Sequence, residues 1–148
     1  MKSLKEQLVE DMKKAMKEKD KMKLSVIRMA RAAIKNVEIN KRKDLSDDEV
    51  VEVLAKEVKQ RRESIEEYKK AGKENVVKDL DKEIEILSKY LPEQLTKEEI
   101  EKIVDEVISE VNAESMKDMG KVMQIIMPRI RGRADGKVVN NIVRKKLS

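Results

Sequence analysis

The chain has no cysteine, histidine, tryptophan or phenylalanine among its 148 residues. Without cysteine there is no disulfide framework, no thiolate nucleophile and no sulfur-ligated zinc site. Without histidine the commonest general base at neutral pH is missing, and a Ser-His-Asp triad is impossible. Tyr68 and Tyr90 are the only aromatics, so splayed bases would find little to stack on. No apolar run exceeds three residues, whereas a membrane span needs roughly 20. The N-terminal MKSLKEQLVEDMKK lacks an apolar h-region and is not read as a signal peptide. A reducing cytoplasm is the expected compartment, with no membrane association.

What the chain has in abundance is charge: 44% of residues are Asp, Glu, Lys or Arg. High charge with few aromatics is also the signature of disorder. The apolar residues argue against it, because they recur at helical spacing. Leu4, Leu8, Met12 and Met16 make one stripe, and Asp20 is placed to cap a second helix carrying Leu24, Ile27, Ala30, Ile34 and Val37. Ser46-Asp47-Asp48-Glu49 reads as a capping box. It opens a helix whose Val51, Leu54, Val58, Arg61, Ile65 and Tyr68 alternate by three and four. Gly72 suits the left-handed position that stops that helix. Asn75 is placed to cap the next, with Val77, Leu80, Ile84, Leu87 and Leu91 inward. Two heptad-patterned helices joined by so few residues predict an antiparallel hairpin. Arg61 interrupts its seam and is expected to reach an acid on the facing helix.

Pro92 marks the best candidate boundary. Beyond it, Thr96-Lys97-Glu98-Glu99 reads as a second capping box ahead of Ile100, Ile103, Val104, Val107, Ile108 and Val111. Ser115 is placed to cap a helix with Met119, Val122, Met123, Ile126 and Met127 inward, which Pro128 is expected to stop. Asp135 is placed to cap a last helix with Val138, Val139, Ile142, Val143 and Leu147. No stretch alternates like a strand. The expected fold is all-α: an N-terminal helical domain over 1–91, including the hairpin, and a C-terminal three-helix domain over 95–148.

The net charge of +5 conceals an asymmetry. Residues 1–43 hold 14 Lys and Arg against 6 acids, residues 44–128 hold 14 against 23, and residues 129–148 hold 7 against 1. The first basic end reads as solubilising charge spread around its helices. The carboxylates of the middle fall at i,i+4 from lysines and arginines, as in Glu66–Lys70 and Glu85–Lys89, which is ordinary helix support. No catalytic residue, metal site or cofactor is read from the sequence.

One segment exceeds what helix building requires: MGKVMQIIMPRIRGRADGKVV, Met119 to Val139. It holds three of the four glycines and one of the two prolines. Gly120 inside a helix pattern suggests a close approach. Arg129, Arg131 and Arg133 alternate around Gly132, and Asp135-Gly136 begins a helix whose free amides attract anions. The candidate nucleic-acid contacts are Lys121, Arg129, Arg131, Gly132, Arg133, Gly136 and Lys137, with Arg144, Lys145 and Lys146 in support. The competing reading is that these arginines pair with the acidic middle of the same chain.

This segment, with Glu57–Ser64 (EVKQRRES) and Tyr90–Leu95 (YLPEQL), resembles the YqeY family of small bacterial proteins over essentially the whole chain. Residues 95–148 also resemble the tail domain of GatB, a subunit of the tRNA-dependent amidotransferase. The resemblance implies an all-α fold and a link to tRNA, or another structured RNA. Amidotransferase subunits or the aminoacyl-tRNA machinery are the implied partners. It implies no catalysis by this chain alone, since the catalytic cradle of GatB lies in a region this sequence lacks. A carbon–nitrogen ligase activity with glutamine as amido donor would belong to a complex. Two alternatives stand beside tRNA binding. One is a protein-interaction module docking through the hairpin or through Met116, Met119, Met123 and Met127. The other is a component acting in trans in glutamine-dependent amidation. Oligomeric state is not legible.

Overall fold

A computed structural model describes residues 2–148. Among these residues there are seven α-helices and no strand, the all-α fold that the apolar spacing predicts. The chain divides into two compact units, Met1–Leu91 and Pro92–Ser148. No helix is long and apolar enough to cross a membrane, among the described residues.

The first unit comprises α1 (Leu4–Glu18), α2 (Lys21–Lys41), α3 (Asp47–Lys70) and α4 (Glu74–Ser88). Its core gathers Leu8, Ile27, Ala30, Ile34, Val50, Leu54, Val58 and Leu87 from all four helices. Caps fix where the helices start. Ser46 and Glu49 form the full capping box, and the Asp20 carboxylate accepts from the Lys23 amide at 3.1 Å. Glu49 does more than cap. Lys43 donates to its carboxylate, the Ser46 amide and hydroxyl add to this, and its pKa falls from 4.5 to about 2. Asn75 is not a cap: α4 begins after Lys73 with no side-chain cap, and Asn75 lies inside the helix.

Gly72 ends α3 at φ 72°. The Lys73 amide donates to Tyr68 and the Gly72 amide to Lys69, the paired bonds of a Schellman turn. The hairpin that follows is the extensive α3–α4 packing seen in the unit. Arg61 is buried within it. Its Nε donates to Glu83 Oε1 at 3.2 Å and its Nη1 to the Glu57 carbonyl at 3.0 Å. The interruption of the seam is therefore a cross-helix ion pair.

Three apolar assignments shift in this unit. Met16 is half exposed, and Ala15 is buried in its place. Val50 is buried where the spacing favours Val51, and Tyr68 sits at the exposed end of its helix. Tyr90 instead lies in the core, its hydroxyl donating to Asp11 Oδ2. Desolvation, followed by the Asp11 hydrogen bond, pushes its pKa upward.

The second unit comprises α5 (Lys97–Val111), a 3₁₀ turn at Met116–Asp118, α6 (Met119–Ile130) and α7 (Gly136–Leu147). Val104, Val107, Val122, Ile126, Ile130, Val139 and Val143 form its core. The Thr96 box is half made: Thr96 Oγ1 accepts from the Glu99 amide and donates to the Glu99 carboxylate, which does not reach back to the Thr96 amide. Ser115 caps the 3₁₀ turn rather than α6 itself. Pro128 does not stop α6. It lies inside the helix, which runs on to the fully buried Ile130. Proline so near the end forfeits one intrahelical bond, and burying Ile130 outweighs it.

Candidate nucleic-acid interface

The elbow between α6 and α7 spans Arg131 to Asp135. Gly132 adopts φ 73° and is buried. The Arg133 and Ala134 amides both donate to the Ile130 carbonyl, at 2.8 and 3.1 Å. The extended run Pro92–Leu95 then clasps this turn. Gln94 Nε2 donates to the Gly132 carbonyl at 2.7 Å, the Leu95 amide to the Arg133 carbonyl at 2.8 Å, and Arg133 Nε to the Glu93 carbonyl at 3.3 Å. The Gly132 and Arg133 carbonyls thus find donors in Gln94 and Leu95, while the Glu93 carbonyl accepts from Arg133. Both stretches stand out in the sequence, but nothing in their spacing announces that they meet.

The clasp alters the reading of the elbow. Arg133 is half buried and turned onto a backbone carbonyl, and Gly132 is a buried turn residue rather than a surface approach. Arg129 lies on α6, its Nη2 3.5 Å from Glu110 Oε1, with both side chains about half exposed. Arg131 is exposed and has an interaction of its own. The competing reading is therefore correct for Arg129, whose partner is an acid of the middle region. Such an exposed pair is weak, worth about 0–1 kcal/mol, and salt screens it. The start of α7 is not an open anion site either. Asp135 caps it with its own carboxylate, 3.0 Å from the Lys137 amide. Gly136 is half buried, with the Met127 methyl 3.7 Å from where a Cβ would stand.

The supporting cations fare differently. Lys146 pairs with Asp105 at 2.7 Å. Lys121, exposed on the first turn of α6, lies near Asp118, whose pKa falls through the Glu114 and Ser115 amides and the Lys121 charge. Lys137, Arg144 and Lys145 are exposed and form no salt bridge among the described residues. Lys137 and Arg144 are seven residues apart on α7, hence about 10 Å apart on one face. Lys145 lies at the next position, lining a groove of about 580 Å³ between α5 and α7 together with Lys97, Glu101, Lys146, Ile142 and Val138, the last being exposed rather than inward. The structure thus divides the candidates. Arg129, Arg133 and Lys146 are engaged within the unit, while the outer side of α7 keeps a cationic face.

Gly120 and the methionines also depart from expectation. Nothing lies within 4 Å of a Cβ built on Gly120, so no helix packs there. Met119 and Met123 are half buried against the core, while Met116 and Met127 are exposed at 41% and 40%.

A model of the YqeY family, described as Yqey-like protein, matches residues 5–147. The chain belongs to the YqeY family. Its curated relatives include yeast proteins called altered inheritance of mitochondria protein 41, mitochondrial. The one from Kluyveromyces lactis is 42% identical over 84 residues, 56% of this chain and 45% of the yeast protein. That of Lachancea thermotolerans is 39% identical over 85 residues, covering 57% and 46%. That of a Saccharomyces cerevisiae strain is 34% identical over 92 residues, covering 62% and 50%. The YqeY chain spans about half the length of these relatives, and the mitochondrial designation is theirs.

Proposed function

We propose that this YqeY-family chain is an accessory protein that contacts the phosphate backbone of a structured RNA through the outer face of α7. The likeness of its second unit to the GatB tail makes tRNA the RNA class of choice. The observation that carries the reading is the trio Lys137, Arg144 and Lys145, exposed and without an ion-pair partner among the described residues. Elsewhere in the unit, Arg129 and Lys146 already hold carboxylates. The elbow serves as a brace: its clasp by Gln94 and Leu95 fixes how α7 leaves α6 and so where the trio points. With no aromatic in this unit, recognition is of charge and shape rather than of stacked bases. On this reading the chain supplies no catalytic group, and any glutamine-dependent amidation falls to other subunits.

Binding of the full chain to a tRNA transcript, measured over a range of salt, tests the proposal. Affinity should fall steeply with salt, because released counterions drive such contacts. Replacing Lys137, Arg144 and Lys145 together by Gln should weaken binding at least about tenfold and lower the log–log salt slope by about 2–3. Unchanged affinity and slope would remove α7 as the contact face.

A further inference from the structure

The first unit carries a second cationic feature that the sequence disguises. Lys21, Arg28, Arg31, Lys35 and Arg42 are separated by seven, three, four and seven residues. At 3.6 residues per turn, they fall within about 80° of arc. They form a single file along α2 and onto its C-cap, about 30 Å long at the helical rise. All five are exposed.

The row is unpaired, although Lys35 lies near enough to Glu38 for its charge to help lower that carboxyl's pKa. None of the five forms a salt bridge among the described residues. Arg31 instead lays Nη1 3.3 Å from Met12 Sδ on α1. Glu38 is the sole acid of α2, and it is already committed: Lys5 donates to its carboxylate, as does the Leu45 amide at 2.9 Å. These bonds hold its pKa below the usual carboxylate range. The opposite face of α2, with Ile27, Ala30 and Ile34, is buried in the core, so the helix is fixed and cannot turn the row inward.

We propose that this row is a second contact for a nucleic-acid backbone, fitted to one strand of an RNA duplex. A nucleic-acid strand presents one phosphate charge about every 3.4 Å of axis, and a straight file of long cationic side chains on a rigid helix matches such a line. A lipid surface fits less well. Membrane-surface helices bury a continuous apolar face in the bilayer, whereas α2 buries its apolar face in its own core. Of its outward apolar side chains, Met29 and Ile39 are ten residues apart. A protein partner would need an apolar centre to the patch, whereas the one large apolar side chain exposed within the row's arc, Ile39, lies towards its C-terminal end. The inference rests on the RNA reading above but on a separate helix, so each can fail without the other.

The test uses the full chain and a blunt RNA duplex of about twenty base pairs, long enough to cover the row. Replacing Arg28, Arg31 and Lys35 together by Gln should weaken duplex binding at least about tenfold and reduce the salt slope by about 2–3. Replacing Lys69, Lys70 and Lys73 by Gln removes the same charge from the tip of the α3–α4 hairpin and should leave binding near wild type. Thermal melts establish that both variants are folded. Equal losses in the two variants would show a response to net charge alone and overturn the proposal. So would wild-type duplex affinity in the α2 variant, or no duplex binding by the wild-type chain. So too would a variant that keeps duplex binding but loses binding to vesicles rich in anionic lipid. A variant at Lys137, Arg144 and Lys145 that alone loses tRNA binding would leave the α7 reading intact while this one fails.

Discussion

Arg61 in the first unit and Arg129 in the second are both arginines facing glutamates, yet they do opposite things. Arg61 is 7% exposed, with Glu83 and Glu57 around its guanidinium. Arg129 meets Glu110 at the surface, with both side chains about half exposed. A buried guanidinium needs its counter-charge, because desolvation is expensive and removing one partner leaves the other unpaid. An exposed one retains its hydration and can exchange its partner for a phosphate. Arg61 therefore belongs to the packing of α3 on α4, whereas the Arg129 pair contributes little to the stability of its unit. Two glycines repeat the contrast. Gly72 and Gly132 share nearly the same positive φ, 72° and 73°, but Gly72 has open space around it while Gly132 is buried under the Gln94 clasp.

The largest expected effect breaks the first pair. Glu83→Ala should destabilise the first unit by about 2–3 kcal/mol, since Arg61 retains only Glu57. Arg61→Met, of similar length and apolar, should stay within about 1 kcal/mol of wild type. Urea unfolding of both variants measures the difference. If Arg61→Met costs as much as Glu83→Ala, the pair supplies net stability of its own.

The glycines give the next effect. Gly132→Ala forces an L side chain into a left-handed turn, which costs roughly 1–2 kcal/mol, and it also disturbs a buried clasp. About 2 kcal/mol is expected for the second unit. Gly72→Ala faces the same backbone penalty without the clasp and should cost about 1 kcal/mol. Gln94→Ala should lose about 1 kcal/mol through the Gly132 carbonyl it leaves unsatisfied. Melting of the three variants ranks them, and equal losses at the two glycines would mean that the clasp contributes nothing.

Helical periodicity made the fold class and most of the core legible, because burying one face of each helix imposes the three-and-four spacing directly. Choices between neighbours were less legible. Ala15 and Met16 stand 100° apart, and α1 buries the small residue while Met16 stays half exposed. Pro128 reads locally as a stop, yet Ile130 two residues on is fully buried, so tertiary packing overrides it. The candidate site was legible as a list of cations but not as a geometry. Whether Arg133 meets solvent or the Glu93 carbonyl depends on a contact forty residues away in sequence. The α2 row was hidden for a related reason: counted by segment its charges look dispersed, and only their angular position on a helix with a buried far side aligns them.

The smallest effect concerns Gly120, on the first turn of α6. Glycine in a helix is less stable than alanine, and no neighbour occupies the space where its Cβ would stand. Gly120→Ala should therefore stabilise the second unit by about 0.4–1 kcal/mol, seen as a small rise in melting temperature. Its effect on RNA is the sharper reading. If recognition runs through the outer face of α7, tRNA affinity should be unchanged, because a methyl on α6 adds no charge and touches none of Lys137, Arg144 or Lys145. A more stable protein that binds tRNA less well would show that the open space at Gly120 is kept for the ligand, and the interface would then extend from α7 across to the start of α6, where Lys121 already stands exposed.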